Sequence, residues 1–246
     1  MKDHGFLRAI RLDRRKVASP ETYPFCVPAV RHLERLEFAP GLTTIIGENG
    51  VGKSTLIEAI AVKWGFNAEG GSKNFRFRTK ETHSSLNECL VLEKGVRRPT
   101  DGFFLRAESF YGMATEVERL DLAHHASYGG KSLHEQSHGE AFLALLQNRL
   151  RGNGLYIFDE PEAALSPKRQ LSVLVILQRL LAEKSQVIMA THSPILMGFP
   201  DATIYEVGPN GMERVEYEQT DHFRVTRDFL NSRERILGHL LREDRE

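Results

Sequence analysis

The sequence predicts an α/β fold in which a mostly parallel sheet is flanked by helices. A β-branched run at 43–46 precedes a glycine-rich turn, and apolar residues at helical spacing follow it. Further along, an apolar run at 155–158, a helical pattern and a second apolar run at 186–190 follow one another. Short continuous apolar runs between helices are typical of strands buried on both faces of a parallel sheet. We also expect an N-terminal antiparallel β portion and a small inserted helical lobe near residues 107–136.

The segment GENGVGKST carries the most specific motif. Its glycines and its Lys-Ser pair complete the spacing G-x-x-x-x-G-K-[ST] of a P-loop. Glycines let successive backbone N–H groups turn toward phosphate oxygens, and the following helix directs its positive dipole end at the same anion. Lys53 is expected to neutralise the β- and γ-phosphates, and Ser54 to ligate Mg²⁺. The predicted nucleotide-binding residues are Gly47, Glu48, Asn49, Gly50, Val51, Gly52, Lys53, Ser54 and Thr55.

Two acids and a histidine are expected to meet at one end of the sheet. Asp159 and Glu160 directly follow the apolar run 155–158, and His192 follows the run 186–190. A strand, a helix and a strand of this length predict a right-handed βαβ crossover, which brings both strand ends together. Asp159 is expected to hold Mg²⁺, and Glu160 to polarise the attacking water. His192 is expected to donate to the γ-phosphate and to that water.

The segment SLHEQSHGEAF has more than one interpretation. HEQSH fits the H-E-x-x-H pattern of zinc peptidases, in which two histidines of one helix hold the metal. SHGE fits the S-x-x-E capping box that begins a helix at Ser137. The capping signal and Gly139 place the helix start after His134, which disfavours the zinc site. We expect a helix over Glu140–Leu150.

The motifs GENGVGKST, QSHGE, LYIFDEPEAAL and ATHSP stand in an order that resembles the ATP-binding-cassette class of P-loop ATPases, including its chromosome-maintenance and recombination-repair branch. The whole chain resembles small stand-alone bacterial proteins known as predicted AAA-family ATPases. The resemblance implies a P-loop NTPase fold, Mg²⁺-dependent ATP hydrolysis and a homodimer that sandwiches two ATP molecules. Ser137 and Gly139 are implied to reach the partner's γ-phosphate. His138 departs from the family, which usually has the first of two glycines there.

Other positions also depart from the family or leave alternatives open. Glu108 occupies the loop where the family usually has Gln, so it is implied to hold a metal-bound water, with a solvent-facing acid as the alternative. Glu162 replaces the Thr that follows DEP in transporter subunits. Tyr23 and Phe25 are candidates for adenine contact, although core packing is the favoured interpretation of both.

The composition narrows the functional classes. Lys and Arg together number 33, as do Asp and Glu, so the overall charge does not indicate a nucleic-acid partner. The chain has no apolar run near the roughly 18 residues that a transmembrane helix needs, so we expect a cytoplasmic protein without membrane insertion. We expect one domain over 1–246 with a C-terminal amphipathic helix at about 226–243. A transporter ATPase subunit and a DNA-associated repair or defence ATPase remain alternatives, and any effector is another chain.

Overall fold

The computed structural model describes residues 5–72, 84–110, 112, 115 and 137–241. Along these residues the strands are β1 (Leu7–Leu12), β2 (Arg35–Glu37), β3 (Leu42–Gly47), β4 (Leu90–Lys94), β5 (Asp101–Arg106), β6 (Gly154–Asp159), β7 (Gln186–Ala190), β8 (Thr203–Gly208) and β9 (Gly211–Val215). The helices are α1 (Pro28–Arg31), α2 (Lys53–Trp64), α3 (Leu86–Cys89), α4 (His138–Arg149), α5 (Pro167–Ala182), α6 (Pro194–Met197), α7 (Asp221–Asn231) and α8 (Arg233–Leu240). Short 3-10 helices span Arg14–Lys16, Pro161–Ala164 and Tyr217–Gln219.

The central sheet has the strand order β5-β6-β7-β3-β8-β9. All neighbouring pairs are parallel except β8 and β9, which form an antiparallel hairpin. Every residue of β3, β6 and β7 is buried, as expected for strands covered by helices on both faces. The predicted α/β fold with a mostly parallel sheet is therefore confirmed, and the carboxyl ends of β3, β6 and β7 meet at one edge.

A second, antiparallel sheet of β2, β1 and β4 confirms the predicted N-terminal β portion. The fully buried side chain of Gln186, the first residue of β7, connects the two sheets. Its Oε1 accepts from the backbone N–H groups of Phe6 and Leu7, at 2.8 and 2.9 Å. Its Nε2 donates to the carbonyl oxygens of Leu7 and Ala39, at 2.8 and 2.7 Å. One carboxamide thus satisfies four backbone groups at the sheet junction, and three of these hydrogen bonds are fully buried.

Helix boundaries follow local signals. Helix α2 begins directly after the P-loop and ends at Gly65, whose φ of 109° is the left-handed C-cap conformation that glycine adopts without steric cost. Helix α5 begins after Ser166 with Pro167 at its first position, where the missing N–H of proline costs no helical hydrogen bond. Leu171 and Val175 of α5 are exposed, because a different face of the helix, which includes Val173 and Leu177, packs inward.

Two regional predictions have different outcomes. The single C-terminal helix expected at about 226–243 is two helices, α7 and α8, which meet at Ser232, and residues 242–243 lie outside the described residues. Most of the inserted lobe expected at 107–136 also lies outside the described residues. None of the helices within the described ranges is long and apolar enough to cross a membrane.

We predict that Gln186→Leu destabilises the junction of the two sheets. The substitution nearly keeps the side-chain volume but leaves four backbone groups, in three buried hydrogen bonds and one partly buried one, without their partner. We therefore expect the free energy of unfolding to fall by about 4 kcal/mol. Chemical denaturation measures this loss, with the exposed Gln147→Leu as the matched control. Equal losses in the two variants would contradict the assigned role.

Candidate nucleotide-binding and catalytic site

The P-loop joins β3 to α2 through three glycines with positive φ: 142° at Gly47, 81° at Gly50 and 94° at Gly52. Side chains strain this left-handed conformation, which explains the glycine spacing. Packing adds a second reason at Gly52, since a Cβ there would lie 2.4 Å from Cγ2 of Val27. The loop therefore has the tight backbone path that cradles phosphates in P-loop proteins.

Lys53 is only 4% exposed, at the first position of α2. Its Nζ donates to the backbone oxygens of Gly47 and Glu48, both at 2.9 Å. Burial lowers the pKa of Lys53, while the nearby carboxylates of Glu160 and Asp159 oppose that change. The ammonium group is thus held inside its own loop, where it can exchange carbonyl oxygens for phosphate oxygens.

Asp159, the last residue of β6, is 3% exposed. Burial raises the pKa of its carboxyl group to about 6, against the lowering effects of the Ser54 hydroxyl and the Arg106 guanidinium. Its Oδ1 is buried without a hydrogen-bond partner among the described residues. A buried carboxylate with a spare oxygen beside a serine hydroxyl is a suitable oxygen donor set for Mg²⁺.

Arg106 was missed by the sequence analysis. It ends β5 directly opposite Asp159 in the parallel register, and its Nε lies 3.5 Å from Asp159 Oδ2. The other guanidinium nitrogens contact Glu58 Oε2 at 2.9 Å and Glu108 Oε2 at 3.0 Å. The Glu108 side chain is 81% exposed, so this predicted metal residue reaches Asp159 only through Arg106. A signal for this ion pair was present in the sequence, because Arg106 ends one strand and Asp159 ends another strand of the same predicted sheet.

Glu160 has a left-handed backbone, with φ 50° and ψ 53°, which is uncommon for a residue other than glycine. Its N–H donates to the carbonyl oxygen of Ala190 at 3.0 Å, so the end of β7 holds this conformation. The side chain is partly exposed, and its Oε1 lies 3.6 Å from Nε2 of His192. A non-glycine residue with a strained, left-handed backbone at the end of a strand is typical of functional sites.

Glu162 connects the segment after β6 to the segment after β7, and sequence reasoning gave it no role. It accepts a hydrogen bond from Thr191 Oγ1 at 2.7 Å and from the His192 backbone N–H at 2.5 Å. Burial raises the pKa of Glu162, and both hydrogen bonds oppose that change. This clamp fixes the backbone of His192 next to the two acids, as the predicted βαβ crossover requires.

The predicted signature segment lies at the start of α4. Ser137 forms a reciprocal capping box with Glu140, whose Oε2 accepts from the serine N–H and hydroxyl at 3.0 and 2.6 Å. The predicted capping box is confirmed and the helix starts at His138, whereas His134 lies outside the described residues. Gly139 is buried, and a Cβ there would lie 3.0 Å from the Ala164 carbonyl oxygen. Ser137 and His138 therefore face outward, whereas Gly139 packs within its own chain.

The two aromatic candidates for adenine contact separate clearly. Phe25 is buried in the core beneath the P-loop, as favoured from the sequence. Tyr23 is 64% exposed, which contradicts the core packing favoured for it. Its hydroxyl lies 3.2 Å from Oγ1 of Thr55, so an accessible ring stands beside the P-loop helix.

Two family models match the chain. One described as "AAA domain" matches residues 25–95, and one described as "AAA domain, putative AbiEii toxin, Type IV TA system" matches residues 118–198. The chain is 27% identical over 188 residues to "Macrolide export ATP-binding/permease protein MacB" of Campylobacter jejuni, an alignment that covers 66% of this chain and 27% of that protein. It is also 27% identical over 222 residues to "Ribose import ATP-binding protein RbsA 2" of Escherichia coli O157:H7, with 80% and 40% covered.

These matches support an ATP-binding-cassette-type P-loop ATPase. They agree with the assignment that the order of the four sequence motifs implies. The ATPase spans less than half the length of either transport-related relative. A solved "SMC head domain from Thermotoga maritima" aligns with 86% of the ATPase and 99% of its own chain, at 16% identity and a TM-score of 0.47.

We predict that Asp159 makes the stability of the metal-free and nucleotide-free ATPase depend on pH. Its pKa of about 6 exceeds the ordinary value of 3.8, so the folded chain keeps this proton to higher pH than the unfolded chain. Stability is therefore lost as the pH rises from about 4 through about 6. From about pH 5 to about pH 7.5, the free energy of unfolding of the wild type should fall by about 1 kcal/mol relative to Asp159→Asn. Denaturant titrations of both chains measure this difference, and identical pH dependence would contradict it.

Proposed function

We propose that the chain binds ATP with Mg²⁺ and hydrolyses the β–γ phosphoanhydride bond. One observation carries the proposal: Lys53, Ser54, Asp159, Glu160 and His192 converge where β3, β6 and β7 end. Ligands of open parallel sheets bind at the carboxyl ends of the strands. The arrangement therefore supports a site with a phosphate-binding loop, a metal-binding acid and a general base.

Ser54 and Asp159 are the residues that we propose to hold Mg²⁺. The spare buried oxygen of Asp159 and the adjacent serine hydroxyl fit its preference for oxygen ligands. Mg²⁺, when bound with the nucleotide, neutralises charge that builds up on the β- and γ-phosphate oxygens. We propose that Glu108 does not ligate Mg²⁺ directly and acts only through a metal-bound water, because the guanidinium group of Arg106 lies between Glu108 and Asp159.

The chemical step assigns a role to each remaining side chain. Glu160 accepts a proton from the attacking water, whose oxygen bonds to the γ-phosphorus as the bond to the β–γ bridging oxygen breaks. The products are ADP and inorganic phosphate, and the proton leaves Glu160 for phosphate or solvent. Lys53 balances the negative charge of the γ-phosphate, and His192 donates a hydrogen bond from Nε2 to it.

The remaining nucleotide contacts come from the P-loop and Tyr23. Residues Glu48, Asn49 and Gly50 are exposed at the turn of the loop, and Val51 and Thr55 are partly exposed. We propose that the accessible ring of Tyr23 stacks on adenine, since its hydroxyl already lies against Thr55 at the start of α2.

We further propose that two copies pair around ATP through the start of α4. The exposed first turn at Ser137 presents a positive helix-dipole end to the γ-phosphate held by the other copy, and its hydroxyl would exchange the hydrogen bond to Glu140 for that phosphate. A two-fold pair makes this contact twice, so the two sites are alike. Gly139 supports the contact indirectly, because a Cβ there would lie 3.0 Å from the Ala164 carbonyl oxygen and would push the helix start away from it.

Transport is the second candidate for the role of hydrolysis, because the names of both relatives describe export or import. As a transporter subunit, the chain would co-purify with a membrane protein. A DNA-associated role, for which the balanced charge offers no support, would instead show DNA-stimulated hydrolysis at controlled salt. An effector protein outside both classes would be captured by the ATP-locked dimer.

We predict that Glu160→Gln traps an ATP-bound dimer. The amide cannot accept the proton of water, so hydrolysis should fall by at least about 100-fold while ATP binding persists. Light scattering with saturating ATP and Mg²⁺ should report a dimer for this variant and a monomer without ATP. Adding Ser137→Arg to Glu160→Gln should preserve ATP binding but abolish the dimer, because a bulky cation blocks the start of α4. A Glu160→Gln chain that stays monomeric with ATP would contradict the paired arrangement.

A further inference from the structure

A second histidine, His222 of α7, contacts the catalytic histidine. The Nδ1 atom of His192 and the Nε2 atom of His222 are 3.3 Å apart, and the ring centroids are 5.5 Å apart. The other nitrogen of His192, Nε2, lies 3.6 Å from Glu160 Oε1. His192 therefore lies between a catalytic carboxylate on one nitrogen and an imidazole on the other.

We infer that His222 is a positioning residue that donates its Nε2–H to Nδ1 of His192 and thereby keeps the proton of neutral His192 on Nε2. The inference rests on the proposed ATP hydrolysis. A hydrogen bond between two neutral imidazoles needs one donor and one acceptor. If His192 donated from Nδ1, its Nε2 would be a bare acceptor facing the Glu160 carboxylate and the phosphate, which also accept. Only donation by His222 lets His192 donate to the nucleotide.

The protonation state of His192 makes this choice of tautomer matter. Burial lowers the pKa of His192, and the Lys53 ammonium and His222 lower it further, against the raising effects of Glu160 and Glu48. The neutral imidazole has a single N–H, so its hydrogen-bond partner on one nitrogen determines what the other nitrogen can do. A positively charged His192 would carry both protons and would not need His222.

The position of His222 is fixed by contacts that do not involve nucleotide. Thr220 caps α7 by accepting from the Phe223 N–H at 3.3 Å, and its hydroxyl donates to the Tyr217 carbonyl oxygen at 2.8 Å. Tyr217 in turn donates its hydroxyl to the carbonyl oxygen of Pro194 at 2.9 Å. Pro194 is the second residue after His192, so the start of α7 is attached to the segment that carries the catalytic ring.

The acidic surroundings of His222 disfavour a direct contact between this residue and phosphate. His222 lines a cavity of about 400 Å³ beside the P-loop. Four carboxylates line the same cavity, and they belong to Glu48, Glu206, Glu213 and Asp221. Such a cavity disfavours an anion. His222 therefore acts through His192 and not on the nucleotide itself.

Three variants of the full chain test this inference. His222→Leu removes the donor, His222→Gln keeps a donor N–H at similar reach, and His239→Leu is the control at an exposed histidine of α8. Single-turnover hydrolysis of Mg²⁺-ATP gives the rate constant of the chemical step, and titration with ATP under non-hydrolysing conditions gives the Kd. Imidazole ¹H–¹⁵N spectra report the tautomer of His192, with a His192→Gln chain for assignment.

We expect His222→Leu to lower the single-turnover rate constant by about tenfold while the Kd for ATP stays within about twofold. His222→Gln should stay within about threefold of the wild type, and His239→Leu should match it. The spectra should show the Nε2–H tautomer of His192 in the wild type and a mixture in His222→Leu. A wild-type rate in His222→Leu, or equal losses with Leu and Gln, would overturn the inference. If the wild type hydrolyses no ATP, the proposed function fails, and an Nδ1–H tautomer of His192 would separately refute this inference.

Discussion

The parallel register between β6 and β7 is the constraint on which the site depends. It sets Asp159 opposite Ala190, so the residues that follow each strand lie side by side. A slip of one residue would move His192 by about 3.3 Å along the strand and turn each β7 side chain to the other face. Two hydrogen bonds fix this register at the carboxyl end. The backbone N–H of Glu160 donates to the carbonyl oxygen of Ala190, and the backbone N–H of His192 donates to the carboxylate of Glu162.

The same edge of the sheet concentrates features that cost stability in the nucleotide-free protein. Lys53 and Asp159 are charged groups with little solvent contact, and Glu160 has a left-handed backbone. Burial disfavours the charged form of both groups, which the directions of their pKa shifts record. A phosphate beside Lys53 and Mg²⁺ beside Asp159 would compensate the charges of these two groups. Such a trade of stability for function is common in active sites.

Sequence patterns predicted what depends on neighbouring residues along the chain. The strand, glycine turn and helix around Lys53 and the capping box at Ser137 are local, and both are found as predicted. The parts that were missed depend on contacts between distant segments. Arg106 gains its role from the register of β5 with β6, and His222 from the docking of α7 beside His192. The break of the C-terminal helix at Ser232 is likewise a property of the folded chain.

A crystal structure of the Glu160→Gln chain with ATP and Mg²⁺ tests the central claim most directly. Our account predicts that Lys53 Nζ leaves its loop carbonyl oxygens for the β- and γ-phosphates, and that Ser54 and Asp159 hold the metal. Nε2 of His192, which lies next to the side chain of residue 160, should donate to the γ-phosphate. Adenine should stack on the ring of Tyr23. ATP bound away from the ends of β3, β6 and β7, or a metal held without Asp159, would contradict the account.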